Sequence, residues 1–451
     1  MVSADVFRFD EASWSIFRSL HVKLKIVRDL PVLAAILNIT HRRFGNPDGD
    51  MKTTSVFTAE VAVIGAGPAG LVSAIALKAA GVDTVLLAPP PKPDHRTTAL
   101  LAGSVTALET LGAWERCLPN AAPLKKLRIT DDTQRLLRAP EVFFAATEID
   151  RDAFGYNIEN RHLIAALQSR ADELRLPWIA APAIAIASDS SGVTIRCSGG
   201  QARVRLAIGA DGGRSACRAA CSIATQRRTY PQTALTANFS HSRRHEDTST
   251  EFHTEQGPFT LVPLPGQRSS LVCVLDPVHG AALEAMSDAE LSSEIERRAH
   301  SLLGKMTIET GRGLFAIAVE VAESFARGRI ALVGEAAHVV PPIGAQGLNL
   351  GLRDGATIAE LVAEAHQHNC DVGDPHLLRR YDRLRRADIV SRTIAVDVLN
   401  RSLLTDFTPA HGARGLSLYI IERVGPLRRA LMREGVMPSV SQPKLMRGEM
   451  V

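Results

Sequence analysis

The sequence predicts an α/β protein in three parts: a parallel-sheet domain assembled from separated segments, an antiparallel β-sheet domain and a C-terminal helical region. Three observations carry this. Mainly apolar runs at residues 61–64, 204–208 and 329–333 each lead into a glycine-bearing turn and then a helix. Two-residue alternation recurs at 127–137, 233–240, 259–263 and 270–275. Residues 287–303 and 375–400 have helical spacing. At 451 residues the chain has room for about three domains. Apolar residues make up 45% and charged residues 22%, which excludes a disordered or collagen-like chain.

The first fifty residues stand apart. Lys23, Lys25, Arg28, Arg42 and Arg43 flank an apolar run at 31–37, and no small-residue cleavage site follows it. An amphipathic helix touching a membrane is one reading, opposed by Asp29 and Pro31 in its middle. The other, which we expect, is that Met51 is the natural start, because the first strand begins a few residues after it. Residues 1–55 are therefore taken as an N-terminal extension, of which the part before Met51 is expected not to be native.

Residues 61–64 form a strand of the kind buried on both faces of a parallel sheet. Gly65-Ala66-Gly67-Pro68-Ala69-Gly70 follows at once, a G-x-G-x-x-G. The helix continues through Leu71, Ile75 and Ala79, Gly81 ends it, and 82–87 is a second strand. In that context Gly65 permits the tight turn, Gly67 lets a pyrophosphate approach the backbone, and Gly70 lets helix and strand pack closely. The helix N-terminus then faces the phosphate charge. The domain is thus Rossmann-like and binds a dinucleotide. A carboxylate for the adenosine ribose is expected some twenty residues further on. Leu87-Ala88-Pro89-Pro90 stands there instead, and Asp83 lies too early in the strand to replace it.

Two later turns repeat the arrangement. Gly209-Ala210-Asp211-Gly212-Gly213-Arg214-Ser215 precedes a helix with Arg218. Gly334-Glu335-Ala336-Ala337-His338 leads through Pro341, Pro342 and Gly344 to Gln346-Gly347-Leu348-Asn349 and a helix at about 350–364. Carboxylates, glycines and helix N-termini at the C-terminal ends of strands mark ligand sites in open α/β sheets. His338 is read as a hydrogen-bonded structural histidine.

In order and spacing the three segments resemble the fingerprints of the flavoprotein aromatic hydroxylases. Residues 344–354, together with Arg96-Thr97-Thr98-Ala99-Leu100, Leu111-Gly112-Ala113-Trp114 and 156–167, look like the ubiquinone-biosynthesis branch, the UbiH-like hydroxylases. The resemblance spans about 56–435. It implies FAD as cofactor and NAD(P)H as co-substrate. Gly65, Gly67 and Gly70 would cradle the FAD pyrophosphate, with Arg96 near the phosphates. Asp211, followed by Gly212, matches the aspartate shared between FAD and the passing nicotinamide nucleotide. Glu335 stands where the family has Asp, a ligand of the ribityl chain. The backbone amides of Gly347, Leu348 and Asn349 would face the flavin pyrimidine edge, and the Pro342 carbonyl would face substrate.

The implied boundaries are 56–125, 156–228 and 315–370 for the FAD-binding domain, 126–155 and 229–314 for the substrate-binding domain, and 371–451 for the helical region. Within that region Arg379, Arg380, Arg383, Arg385 and Arg386 read mainly as a solvated helix face, with contact to anionic lipid or a protein partner as the other reading.

The implied reaction is hydroxylation of a polyprenylated phenol or benzoquinol. NAD(P)H reduces FAD, O2 adds at flavin C4a to give a hydroperoxide, and the ring attacks its distal oxygen. The cofactor carries this chemistry, so no acid–base pair is expected. Two other readings are weighed: a soluble hydroxylase of a small phenol, and a catalytically silent, lipid-binding assembly partner, suggested by Ala88 and Glu335. No metal is expected, since the six cysteines form no CxxC or Cys/His cluster. No nucleic acid is expected either, with a net charge of only +4 and 5% aromatic residues. The expected place is the cytoplasm, peripheral to the inner face of the membrane, with contact either to that membrane or to a ubiquinone-biosynthesis complex.

Overall fold

The structure, a computed structural model, describes residues 55–133, 140–342, 344–404, 424–436 and 442–451. The reading of the N-terminal extension and the end of the 127–137 strand lie outside the described residues.

The first sheet is built on strands Ser55–Ile64, Thr84–Leu87, Gly200–Gly209 and Ile330–Leu332, all parallel, with Ser55–Ile64 between the second and third. Their C-terminal halves, including Val61, Leu86, Leu206 and Leu332, are wholly buried, as the apolar runs require. Helices Pro68–Ala79 and Gln346–Gln367 pack together beneath, and their apolar faces join the strands in one core.

The second, larger sheet runs in the order His338–Val339, Gly313–Ala322, Thr225–His241, Arg268–Leu275, Pro258–Leu264, Thr248–His253, Lys126–Asp131, Val142–Ala145. Its pairs are antiparallel except for Lys126–Asp131 with Thr248–His253, which is parallel. Helices Pro277–Ala285 and Asp288–Arg298 cover one face and form a separate core with Phe239, Phe259 and Leu271. Asp276 caps the first of these helices, and Ser287 with Glu290 forms a capping box at the second.

Two features differ from the sequence reading. Strand pairing carries the larger sheet across the expected boundaries: residues 225–228 pair with 319–322, and all of Gly313–Ala322 lies in that sheet. Polar residues such as Gln226, Arg227 and Arg228 hid the start of this strand because their exposed side chains leave no apolar pattern to read.

The arginine run is the second difference. Helix Pro375–Leu404 buries Leu378, Tyr381, Arg385 and Ile389 on one side, spaced three and four apart. Arg385 is therefore an interior residue, and Arg386 and Arg380 are paired with Asp382 and Glu364. Arg379 and Arg383 are exposed, as expected. Burial of a guanidinium is possible here because Asp354 and Asp388 meet it.

Candidate cofactor site

The three glycine-bearing turns converge because their strands are neighbours. Ala210 donates its amide to the Ile64 carbonyl (2.7 Å), Val333 to Gly209 (2.9 Å) and Gly65 to Leu87 (3.0 Å). The result is a crevice at the carboxyl ends of the parallel strands, where the chain order reverses.

The glycines of the first turn have separate tasks. Gly65 has φ +114°, and a Cβ there would lie 2.2 Å from the Ala210 carbonyl oxygen. A Cβ on Gly70 would lie 2.1 Å from the Gly65 carbonyl oxygen. These two are required by packing. Gly67 is the reverse case: a Cβ there would meet nothing within 4 Å. It is the N-cap of helix Pro68–Ala79, which has no side-chain cap, so the first amides of a three-turn helix are open beside an unfilled space. That is the geometry a pyrophosphate needs.

In the second turn, Asp211 accepts from Ser215 Oγ (2.6 Å) and from the Cys217 amide (3.1 Å). The carboxylate therefore sets the start of helix Ala216–Ala220, and Gly212 (φ +80°) turns the chain beside it. Arg218 has a role that the sequence does not disclose. It donates to the carbonyls of Gly213 (2.6 Å) and Ala336 (2.9 Å) and to Glu320 (3.2 Å). One side chain thus ties the second turn to the third and both to the larger sheet.

The third turn holds exposed Glu335 on a 3-10 turn, Gly334–Ala336. Arg96 lies near enough for the Glu335 charge to favour its guanidinium. Arg96 precedes strand Thr97–Leu101 rather than a helix. Asp94 grips it through Nε (2.9 Å) and Nη2 (2.8 Å), and it stands 5.7 Å from the centre of the Phe315 ring. Hydrogen bonding to Asp94, aided by Glu335, raises its pKa.

Behind the turn lies a network that the sequence did not disclose. Fully buried Asp354 accepts from the Gly334 amide (2.9 Å) and Arg385 Nε (2.6 Å) and bonds His338 Nε2 (2.6 Å). His338 is thus a hydrogen-bonded structural residue, as read. Burial works against the Asp354 charge, but His338 and Arg385 outweigh it and hold the carboxyl below its ordinary value. Asp388 continues the chain to Arg353 and Arg392.

Helix Gln346–Gln367 begins at Ala345, which is left-handed (φ +56°) and gives no side-chain cap. The Asn349 side chain accepts from the Leu101 amide (2.9 Å) and Ser104 Oγ (2.7 Å), and donates to the Ala99 (2.8 Å) and Ala345 (2.5 Å) carbonyls. Four bonds meet its amide's capacity. The side chain locks strand Thr97–Leu101 to the helix start, and the helix's first amides, including those of Gly347 and Leu348, are left without intrahelical acceptors. Pro342 is exposed in the preceding loop. Among the described residues no His, Cys, Asp and Glu cluster could hold a metal, and no helix is long and apolar enough to cross a membrane.

Residues 58–395 match the family model described as "FAD binding domain". The chain is 34% identical over 403 residues to ubiquinone hydroxylase UbiL of Rhodospirillum rubrum, covering 86% of this chain and 93% of that protein. It is 28% identical over 393 residues to the 3-demethoxyubiquinol 3-hydroxylase of Escherichia coli, covering 83% and 97%. Among solved structures, p-nitrophenol 4-monooxygenase PnpA from Pseudomonas putida superposes with a TM-score of 0.70 at 20% identity, over 84% of this chain and 98% of that one. That likeness concerns the fold.

Proposed function

The chain belongs to the FAD-binding-domain family, and on that premise we propose a FAD-dependent monooxygenase of ubiquinone biosynthesis, hydroxylating the ring of a polyprenylated phenol or benzoquinol. The observation that carries the reading is the open space at Gly67, at the bare N-terminus of helix Pro68–Ala79, beside the two other turns. When bound, FAD supplies the redox chemistry that the side chains lack, drawing on NAD(P)H and O2.

The chain's own residues bind and orient. The turn at Gly67 takes the pyrophosphate, and Arg96 stands by the phosphates. Glu335 accepts from ribityl hydroxyls. The amides at Gly347, Leu348 and Asn349 meet the pyrimidine edge, where a helix N-terminus favours negative charge. Asp211 and Gly212 shape the turn at the shared nucleotide end. The Pro342 carbonyl faces substrate, and the larger sheet walls the cavity and excludes water.

The test is direct. Purified protein should show the visible absorbance of bound flavin and consume NAD(P)H and O2 with a gain of one oxygen atom on a prenylated phenol. Protein that stays colourless after incubation with FAD would sink the reading and favour a silent scaffold.

Glu335 gives a finer check. Replacing a carboxylate that meets hydroxyls should weaken FAD binding by about ten- to a hundredfold in Glu335→Ala. Glu335→Asp keeps the charge and restores the family residue, so it should bind FAD as well as the parent or better. Titration of apoprotein with FAD decides, and equal affinity in all three would remove Glu335 from the site.

A further inference from the structure

We propose that an open row of side chains on the larger sheet receives the substrate ring, with Glu251 as the residue that recognises it. Its carboxylate accepts a hydrogen bond from a ring hydroxyl and turns away rings that carry a carboxylate of their own. The inference rests on the phenol-hydroxylating reading above. Residues directly opposite each other on paired strands share one face of a sheet. Glu251 stands opposite Thr260, Thr260 opposite Val272, and Val272 opposite Thr236. They form one row across the sheet, about 14 Å long at roughly 4.8 Å per strand. Each is half-buried, while both of its neighbours along the chain are buried. Those neighbours, such as Leu235, Phe259 and Leu271, point the other way, into the core under helices Pro277–Ala285 and Asp288–Arg298.

The row is a groove because the rows beside it are covered. On one side Asn238 Nδ2 donates to the His95 carbonyl (3.0 Å), and Asn157 Nδ2 donates to Ser270 Oγ (3.1 Å). Farther along that side, Leu127 packs against the cluster that holds Ala102. His95, Asn157 and Ala102 belong to or flank strand Thr97–Leu101 and its partner Gly155–Glu159. On the other side Ala234 and Val274 are buried with Tyr230 and Ile317. Asn349 holds the Leu101 amide, so the strand that edges the groove is the one locked to the start of helix Gln346–Gln367.

The chemistry of the row selects the ligand. Thr236, Val272 and Thr260 offer methyl groups and hydroxyls, which suit an uncharged ring. Glu251 is the only charged residue among them. His253, two residues on and so on the same face, bonds Glu251 Oε1 through Nε2 (2.8 Å). Among the described residues, Oε2 meets only Thr260 Oγ1, at 3.4 Å. An oriented carboxylate with an oxygen to spare is an acceptor for a phenol hydroxyl. A carboxylated ring would instead bring like charge into a half-buried space, and Asp131, opposite His253, adds a second acid at that end. Arg96, over Phe315 beyond the far end of the row, is gripped by Asp94.

Calorimetric titration of the protein, incubated with FAD, tests the assignment with two probes. One is 2-prenylphenol; the other is the same phenol with a carboxylate para to its hydroxyl. The parent should bind the uncharged phenol about tenfold or more tightly than the carboxylated one. Glu251→Gln keeps the size and an acceptor oxygen but removes the charge. It should lose about tenfold in affinity for the phenol and bind the carboxylated probe better than the parent does. Val272→Phe, which fills the groove, should weaken both probes, and neither variant should change flavin content. The proposal is overturned if the parent binds neither probe or prefers the carboxylated one. It also falls if Glu251→Gln binds both as the parent does, or weakens both in parallel, as a merely structural residue would. Selective phenol binding by protein that never forms hydroxylated product would keep the groove and reject the hydroxylase reading. Hydroxylation with the selectivity unmoved in Glu251→Gln would do the reverse.

Discussion

Gly67→Val is expected to give soluble, folded protein that contains no flavin, whereas Gly70→Val is expected to give no folded protein. The two positions belong to one motif and lie three residues apart, yet their surroundings differ. At Gly67 a side chain would enter open space, so the fold has no reason to object. That same space is the one a pyrophosphate must occupy against the backbone. At Gly70 the first carbon would already lie 2.1 Å from the Gly65 carbonyl oxygen and 2.9 Å from Ala210 Cβ. Neither neighbour is the far end of a flexible side chain, so helix and strand would have to separate. Circular dichroism and the flavin-to-protein ratio distinguish the outcomes. Normal flavin in Gly67→Val would show that this turn does not hold the cofactor.

Asp354→Ala should be among the most destabilising single changes in the protein. It removes one of the two carboxylates that meet buried Arg385 and strands the Gly334 amide and His338 as well. Breaking a buried ion pair from one side costs about 3–5 kcal/mol, a large share of a total stability of about 5–15 kcal/mol. Urea unfolding measures the loss, and an unchanged midpoint would refute the role given to this carboxylate. The pH dependence has a definite sign. The folded Asp354 carboxyl lies below the ordinary value of 3.8. Its contribution is complete above that value and is lost as pH falls through the lower, folded one. Asp354→Asn should therefore flatten the acid limb of stability below about pH 4.

How much of this was legible in the sequence depended on how local the physics is. Gly65, Gly67 and Gly70 could be read because a strand, a tight turn and a helix start lie within one short stretch, although the carbonyl that excludes a side chain at Gly65 belongs to distant Ala210. Asp354 lay inside a stretch that the family resemblance had drawn attention to, yet its importance comes from Gly334, His338 and Arg385, which the sequence scatters. Arg385 was the harder case, since five arginines in eight positions read as a wet surface. A signal did exist: Leu378, Tyr381 and Ile389 mark a buried stripe, and Arg385 falls on it. Asp211 had been read toward the cofactor. Its hydrogen bonds to Ser215 and Cys217 arise from how the turn closes, which composition does not specify.

The placement of strand Ser55–Ile64 in the middle of its sheet has a consequence for biosynthesis. Both of its edges need partners, and one of them, Gly200–Gly209, leaves the ribosome long after it. The next strand out, Ile330–Leu332, and the Asn349 lock come later still. At about 5–20 residues per second the nascent chain must keep an apolar strand edge from mispairing for many seconds. The site cannot form until most of the chain has been made, so FAD is expected to be captured late in synthesis or after it. Growth conditions that limit flavin would then leave a complete but less stable apoprotein, because the ligand's binding energy adds to the folding equilibrium only at this final stage.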